Sequence, residues 1–301
     1  MKTILITGAS GLIGKRLTEI LLEKKYQVRH LSRKKISDAV PTFIWNVERN
    51  EMDVSAFENA DAIIHLAGTN IYERRWNARV KKNIYDSRIY GTRLLIQSLK
   101  ENPNQVKTIV SASGIGYYGD RKKEKVTEDF YPANSFLGNV CHDWEKEVRR
   151  AEEINIRTIQ LRAGIVLAKN SGALKELSLP LKFFMRPIFL PGTQRWSWIH
   201  IDDACNMFIH AIESENMKGA YNACAPHPVQ YSEFAKTLAR TMKKNTLPLP
   251  LTKWMLRIQS GEFSGALFED CNCSAKKVLD SGFQFQFPQL ETAMKNLLAE
   301  K

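Results

Sequence analysis

Cysteine is scarce and badly placed for structural chemistry. The five in this 301-residue chain (Cys141, Cys205, Cys224, Cys271 and Cys273) are odd in number and form no pair of CxxC motifs, which fits neither a disulfide framework nor a zinc site. Reduced thiols and no bound metal are expected. Long apolar runs are missing as well. The stretch from Leu177 to Leu190 is broken by Pro180, Lys182, Arg186 and Pro187, well short of the roughly 18 to 20 apolar residues that span a bilayer. The first residues pass from a short apolar segment straight into a glycine turn, without the basic region and cleavage site of a signal peptide. The expectation is a cytoplasmic protein with no membrane partner. Acidic residues are in deficit, 32 against 44 basic ones, for a formal charge of +12. That excess favours phosphorylated partners. The basic clusters at Lys15-Arg16, Arg33 to Lys35, Arg121 to Lys125 and Lys243-Lys244 are scattered, however, and no DNA-binding motif accompanies them. A small anionic ligand is expected, not a nucleic acid.

What is present is alternation. Lys2 to Thr7 is apolar and β-branched, Leu12 to Lys24 places apolar residues at helical spacing, and Gln27 to Leu31 is extended again, a strand–helix–strand unit. Asp61 to Ala67, Thr108 to Ala112 and Thr158 to Leu161 then read as strands, and Val80 to Leu99 and Gly138 to Ile154 as helices. Strands separated by helices predict an α/β chain with a doubly wound parallel sheet, covered on both faces. Beyond residue 165, prolines interrupt the pattern before helices at Asp203 to Glu213 and Ser232 to Met242. Leu247-Pro-Leu-Pro-Leu-Thr reads as an extended linker.

Gly8-Ala-Ser-Gly11-Leu-Ile-Gly14 follows the first strand and opens the first helix, the context in which a glycine-rich turn cradles a dinucleotide pyrophosphate. Gly8 permits the turn, Gly11 lets the backbone approach phosphate, and Gly14 allows helix to pack on strand, while the helix N-terminus supplies amide donors. Gly8, Ser10, Gly11, Leu12, Ile13 and Gly14 are therefore expected cofactor contacts. The second strand ends Leu31-Ser32-Arg33-Lys34-Lys35, with no acid to accept ribose hydroxyls. Ser32, Arg33 and Lys34 instead suit a 2′-phosphate, and the expected cofactor is NADP(H). The expected division is a Rossmann-type NADP(H)-binding domain over residues 1–167, to which 199–221 return, and a smaller C-terminal substrate-side lobe built from 168–198 and 222–301.

Gly8 to Gly14, Leu66-Ala67-Gly68 and Ser111-Ala-Ser-Gly-Ile-Gly-Tyr-Tyr-Gly119 make the chain resemble the extended and atypical short-chain dehydrogenase/reductase superfamily. Arg74-Arg75-Trp76, Ser87-Arg88, Trp144-Glu145 and Ser197 to Asp203 narrow the resemblance to its nucleoside-diphosphate-sugar epimerase-like family, sometimes labelled cell-division inhibitor, which has a C-terminal helical domain. The resemblance implies that Ser32 and Arg33 meet the adenosine end, that Leu66, Ala67 and Gly68 line the ribose, and that Arg88, with Asn83 on the same helix, reaches toward the phosphates. Most members of the wider superfamily use a Tyr-x-x-x-Lys pair, in which lysine lowers the tyrosine pKa for proton exchange, and the narrower family departs from it. Here those two positions fall on Leu137 and Cys141.

Ser113, Tyr117 and Tyr118 follow the strand whose C-terminal end faces the nicotinamide in such folds. They are the expected catalytic residues, with Ser113 orienting a substrate oxygen and one tyrosine exchanging the proton. Arg74, Arg75, Trp76, Gln194, Arg195, Trp196 and His200 are expected to line a pocket for an anionic or sugar-nucleotide substrate. Asp202 or Asp203 is expected to cap the helix it begins. Together these expectations describe an NADP(H)-dependent oxidoreductase or epimerase/dehydratase-like enzyme. Loss of the Tyr-Lys pair leaves a noncatalytic NADP(H)-responsive binding protein as the other reading.

Overall fold

The computed structural model describes residues 2–72, 75–122 and 124–299. In chain order the elements are β1 (Thr3–Thr7), α1 (Leu12–Glu23), β2 (Gln27–Ser32), β3 (Thr42–Asn46), β4 (Glu51–Met52), β5 (Ala62–His65), α2 (Ala78–Glu101), β6 (Thr108–Gly114), β7 (Lys125–Val126), α3 (Phe136–Arg149), β8 (Arg157–Ala163) and β9 (Ile165–Leu167). They continue with α4 (Gly172–Lys182), β10 (Met185–Phe189), β11 (Arg195–Trp196), β12 (Trp198–His200), α5 (Ile201–Glu213), β13 (Gly219–Ala223), β14 (Val229–Gln230), α6 (Tyr231–Thr241), β15 (Leu247–Leu251), α7 (Lys253–Ser260), β16 (Asn272–Cys273), α8 (Lys276–Asp280) and α9 (Leu290–Leu298).

Eight strands form one sheet in the order β13-β8-β6-β5-β1-β2-β3-β4. Its pairings are parallel apart from the antiparallel contact of β3 with β4. This is the Rossmann-like α/β fold. Successive strand residues point to opposite faces, so Ile4 and Ile6 join the core under α1 and α5, whereas Leu5 joins the core under α2 and α3. Both faces of β1 are therefore dry, which is why all five of its residues are buried. The order reverses between β1 and β5, and a crevice opens there at the carboxyl ends of the parallel strands.

The chain after β9 departs from the sequence reading in three places. Leu247–Leu251 is extended as expected, yet it is a strand, parallel to β10. Its prolines alternate with leucines, and the amides that remain still bond, as where Leu247 N donates to the Phe184 carbonyl, so the prolines sit at an edge that tolerates the missing donors. Pro180 lies inside α4, close to its end, where little helix remains to be broken. The cap of α5 is His200, not an aspartate: its Nδ1 accepts from Asp202 N at 3.0 Å. Asp203 is buried and accepts from Gln286 N and Phe287 N at 2.8 and 2.9 Å, while Asp202 accepts from Arg16 at 2.6 Å.

Two glycines are fixed by space. Gly8 has φ +72°, and a Cβ there would lie 2.7 Å from the Leu66 carbonyl carbon. A Cβ on Gly14 would lie 2.4 Å from Gly8 O and 2.6 Å from Ala9 Cα, backbone atoms that cannot step aside. Gly14→Ala is expected to destabilise the protein by about 2–3 kcal/mol through overpacking. Gly11→Ala, whose Cβ would meet only Gly8 O at 3.3 Å, should cost less than about 1 kcal/mol. Urea unfolding of the two variants checks the contrast; equal losses would refute it.

Candidate functional site: a nucleotide crevice and an apolar cleft

The crevice begins at the turn between β1 and α1. The helix starts at Gly11 with no side-chain cap and no acid in its first turn, so its amide end keeps both its unpaired donors and its partial positive charge. Ser10, Gly11 and Leu12 are exposed there, with Ile13 partly so and Gly14 buried beneath them. Across the crevice, at the end of β2, Ser32 is half-buried and Arg33 and Lys34 are exposed. An uncapped helix end, a turn that side chains would fill, and two cations one strand away fit a dinucleotide with an extra phosphate.

The third wall is the end of β5, held by a string of bonds that sequence reading did not anticipate. Thr7 Oγ1 accepts from Leu66 N and Ala67 N at 3.2 and 3.1 Å, so its proton is available to His65 Nδ1 at 2.8 Å. His65 Nε2 then donates to Thr92 Oγ1 at 2.9 Å, and Thr92 donates to Arg88 O at 2.6 Å. Every hydroxyl and ring nitrogen in the string has one consistent direction. Burial, then the nearby Arg88 charge, pushes the His65 pKa down to about 3; a protonated ring would also have no acceptor for its Nδ1. The string therefore ties the Leu66-Ala67 turn to the middle of α2. Gly68 follows, where a Cβ would lie 2.9 Å from Arg88 Cζ, so the guanidinium rests against that glycine. Arg88 also donates to Thr69 O and Ile84 O at 3.1 and 3.0 Å and lies 5.1 Å from the Trp144 ring centre.

Beyond Arg88 the crevice widens into a cleft of about 1080 Å³, its open mouth included, between the ends of β6 and β8 and the C-terminal segments. Ser113, Leu137 and Cys141 share its wall, so the positions of the missing Tyr-Lys pair do face the place where reaction would occur. Neither now titrates usefully. Leu137 has no ionisable group, and burial pushes the Cys141 thiol up to about 11.

Behind Ser113 lies a buried polar network. Ser113 Oγ donates to Glu145 Oε1 at 2.7 Å. Glu145 is held by Arg162 in a forked pair, Nε to Oε1 and Nη2 to Oε2, both 2.8 Å, with the side chains only 2% and 3% exposed. Burial works against the Arg162 charge, but the bonds and field of Glu145 hold its pKa above the ordinary range. Arg162 also donates to Tyr118 Oη at 2.8 Å and to Glu128 O at 3.0 Å. Its guanidinium centre lies 3.5 Å from the Tyr117 ring centre. Tyr118 in turn donates to Asn222 Oδ1 at 2.7 Å, and Asn222 Nδ2 reaches Val126 O and Ser274 O.

These contacts correct several expected roles. Tyr118 is wholly buried, Tyr117 nearly so, and neither lines the cleft; burial raises the pKa of both above the usual phenol value, opposite to what an acid/base tyrosine needs. Ser113 does face the cleft, but its proton is committed to Glu145, so it can accept from a ligand hydroxyl and cannot donate to a carbonyl. Arg195 and Trp196 line the cleft. Gln194 does not: it is buried, and its Nε2 donates to Phe189 O. His200 is also buried, stacked on Phe287 at 3.9 Å and bonded to Asn296. Trp76 is a packing residue beside Phe136 and Phe263, its Nε1 donating to Ile71 O. Arg75 and Asn83 are exposed away from the cleft wall, and Arg74 lies outside the described residues. Glu145, Arg162 and Asn222 were missed as site residues. The signal was present in Arg162, a charge within an otherwise buried strand, which demands a buried partner.

Among the described residues no group of side chains is arranged to hold a metal ion, and no helix is long and apolar enough to cross a membrane.

Comparison with known proteins follows this geometry. The model of the NAD dependent epimerase/dehydratase family matches residues 4–224, and that of a domain of unknown function, DUF1731, matches 251–297. The epimerase family protein YfhF of Bacillus subtilis is 34% identical over 304 residues, covering 99% of this chain and 98% of that protein. Among solved structures, the human epimerase family protein SDR39U1 (isoform 2), with NADPH, superposes with a TM-score of 0.88 at 27% identity over 98% of both chains. A nucleoside-diphosphate sugar epimerase from Corynebacterium glutamicum gives 0.80 at 28% identity, over 99% of this chain and 58% of that one.

Two outcomes follow from the buried groups. Arg162→Met strands the Glu145 carboxylate and should destabilise the protein by about 3–5 kcal/mol, most of it recovered in the Glu145→Leu/Arg162→Met double variant; urea unfolding of the set decides. His65 has a depressed native pKa, so the unfolded chain takes up a proton below about pH 6.5 that the native state refuses until about pH 3. Stability from this group is complete above pH 6.5 and is lost as pH falls. Between about pH 7.5 and 5, His65→Gln should lose about 2 kcal/mol less than the parent. An unchanged pH slope would show that His65 is not protected.

Proposed function

Because this chain belongs to the NAD dependent epimerase/dehydratase family, we propose that it binds NADP(H) along the crevice and acts as an oxidoreductase or epimerase/dehydratase-like enzyme on a ligand held in the cleft. The observation that carries the reading is the pairing of an uncapped α1 N-terminus with Arg33 and Lys34 at the end of β2. Gly8, Ser10, Gly11, Leu12, Ile13 and Gly14 would hold the pyrophosphate. Ser32, Arg33 and Lys34 would hold the 2′-phosphate, and Leu66, Ala67, Gly68 and Arg88 would close the ribose side. The bound nicotinamide supplies hydride transfer. The human relative solved with NADPH supports the choice of cofactor.

Division of labour between a nucleotide-binding part over residues 1–167 with 199–221 and a ligand-side part over 168–198 with 222–301 belongs to the same proposal, with Arg195 and Trp196 contributing the second part's share of the cleft wall. A second reading, a noncatalytic NADP(H)-responsive binding protein, is favoured by one observation: the wall around Ser113 offers Leu137 and a high-pKa Cys141 where an acid/base pair would stand. Turnover separates the two. An oxidoreductase consumes NADPH with a carbonyl compound and an epimerase or dehydratase converts its substrate with the nucleotide regenerated, whereas a sensor does neither.

Calorimetric titration of the protein with NADPH and NADH tests the common premise. Arg33→Ala removes a charge-assisted contact and should weaken NADPH about 10- to 100-fold while changing NADH by less than about twofold. Equal weakening of both, or no binding of either nucleotide to the parent, refutes the assignment.

A further inference from the structure

The cleft's chemistry names a ligand class, an inference that rests on the reading of the crevice as the nucleotide site. Its wall carries Ile71, Ile84, Val140, Trp144, Phe263 and Leu267, an apolar surface contributed by the loop after β5, α2, α3 and the 262–268 turn. A sugar nucleotide would bring several hydroxyls and two phosphates into this space. Each hydroxyl stripped of water needs a partner, and an unpaired one costs about 1–3 kcal/mol.

Two polar side chains on the wall, Ser113 and Ser197, are turned to the protein. Ser113 donates to Glu145. Ser197 donates to Cys271 O and accepts from Cys273 N, at 2.7 and 2.9 Å. Arg88 donates from Nη1 to Thr69 O and Ile84 O. Arg195 stands with acids about it: its amide donates to Asp270 Oδ1 at 3.1 Å, and Glu269 lines the same wall. Burial, with Asp120 adding to it, pushes the Glu269 carboxyl above the usual carboxylate range, as a water-poor wall would. A flat apolar molecule would face carbon.

We propose that the cleft binds a compact, ring-bearing apolar carbonyl compound in place of a sugar nucleotide. The ring packs between Trp144 on α3 and Phe263 on the 262–268 turn, and the nicotinamide half of the nucleotide lies toward Ser113 and Gly114. In an apolar cleft, carbon contacts supply affinity and a few polar groups set orientation. Loss of the Tyr-Lys pair to Leu137 and Cys141 extends the same apolar wall.

Equilibrium dialysis with 2-acetonaphthone and with UDP-glucose, on the full chain with and without saturating NADPH, tests the inference. The expected result is saturable one-to-one binding of the naphthyl ketone and none of UDP-glucose. Ala266→Trp, which fills the cleft from its wall, should weaken the ketone at least about tenfold while leaving NADPH binding and the unfolding midpoint unchanged. UDP-glucose binding, failure of the ketone to bind, or ketone binding that ignores Ala266→Trp overturns the proposal. NADPH titration of the same sample reads the underlying assignment separately: ketone binding without NADPH binding would remove the nucleotide reading and leave the ligand class standing.

Discussion

The Glu145–Arg162 pair organises the molecule around its cleft. Two charges almost wholly removed from water are tolerable only when each is matched in charge and in hydrogen bonds, and here the matching recruits four separate parts of the chain. Ser113 at the end of β6 supplies the remaining donor to Glu145, and Glu128 supplies a carbonyl to Arg162. Tyr117 offers its ring face, and Tyr118 relays the contact to Asn222 at the end of β13. Asn222 then bonds the backbone on either side of the small β7–β16 pairing. A continuous polar string thus runs from the cleft wall to the later segments of the chain.

That string explains why the tyrosines of Gly-Tyr-Tyr-Gly stand where they do. A phenol that serves as acid/base must be accessible and have its pKa lowered. Tyr118 is inaccessible, and burial raises it despite the nearby Arg162. Its hydroxyl is a strut between Arg162 and Asn222. The His65 string plays the corresponding part on the other side of Arg88. One neutral imidazole, oriented by two threonines, ties the Leu66-Ala67 turn to α2, so that turn and the Arg88 helix share one hydrogen-bond direction.

The fold was legible because its determinants are local. The apolar, β-branched run of Thr3–Thr7, the glycine turn and the helical spacing of Leu12–Glu23 are each read within one element, and β1, α1, β2 and α2 follow within a few residues. The glycine turn at the foot of the crevice was legible for the same reason, since Gly8 to Gly14 are defined by neighbours in sequence. The cleft was not. Ser113 and Glu145 are 32 residues apart, and Tyr118 and Asn222 are 104 apart, so whether a hydroxyl faces a ligand or a partner depends on pairings no local pattern encodes. The same applies to His200, where a His-x-Asp-Asp sequence suggested an aspartate cap but the imidazole accepts the amide bond because Asp203 is needed 83 residues away, at Gln286. Leu247-Pro-Leu-Pro-Leu shows the converse error: its extended conformation was local, while its pairing with β10 was not.

The substitution of Leu137 and Cys141 acquires its meaning from these long-range bonds. In an acid/base site the lysine charge lowers the tyrosine pKa, and both groups need a polar, water-accessible surround to change protonation. Here a pair of ionised groups lies one layer back, at Glu145 and Arg162, where they neutralise each other, and the wall in front of them is carbon, thiol and a serine that can only accept. A charged Lys at residue 141 would sit over the buried Ser113–Glu145 bond and compete with Arg162 for the carboxylate. The apolar lining around Ser113 and the buried ion pair are thus one arrangement: the network that braces the sheet against the later segments also takes up the serine proton, and it leaves Glu269, across the cleft, as the carboxyl on the wall.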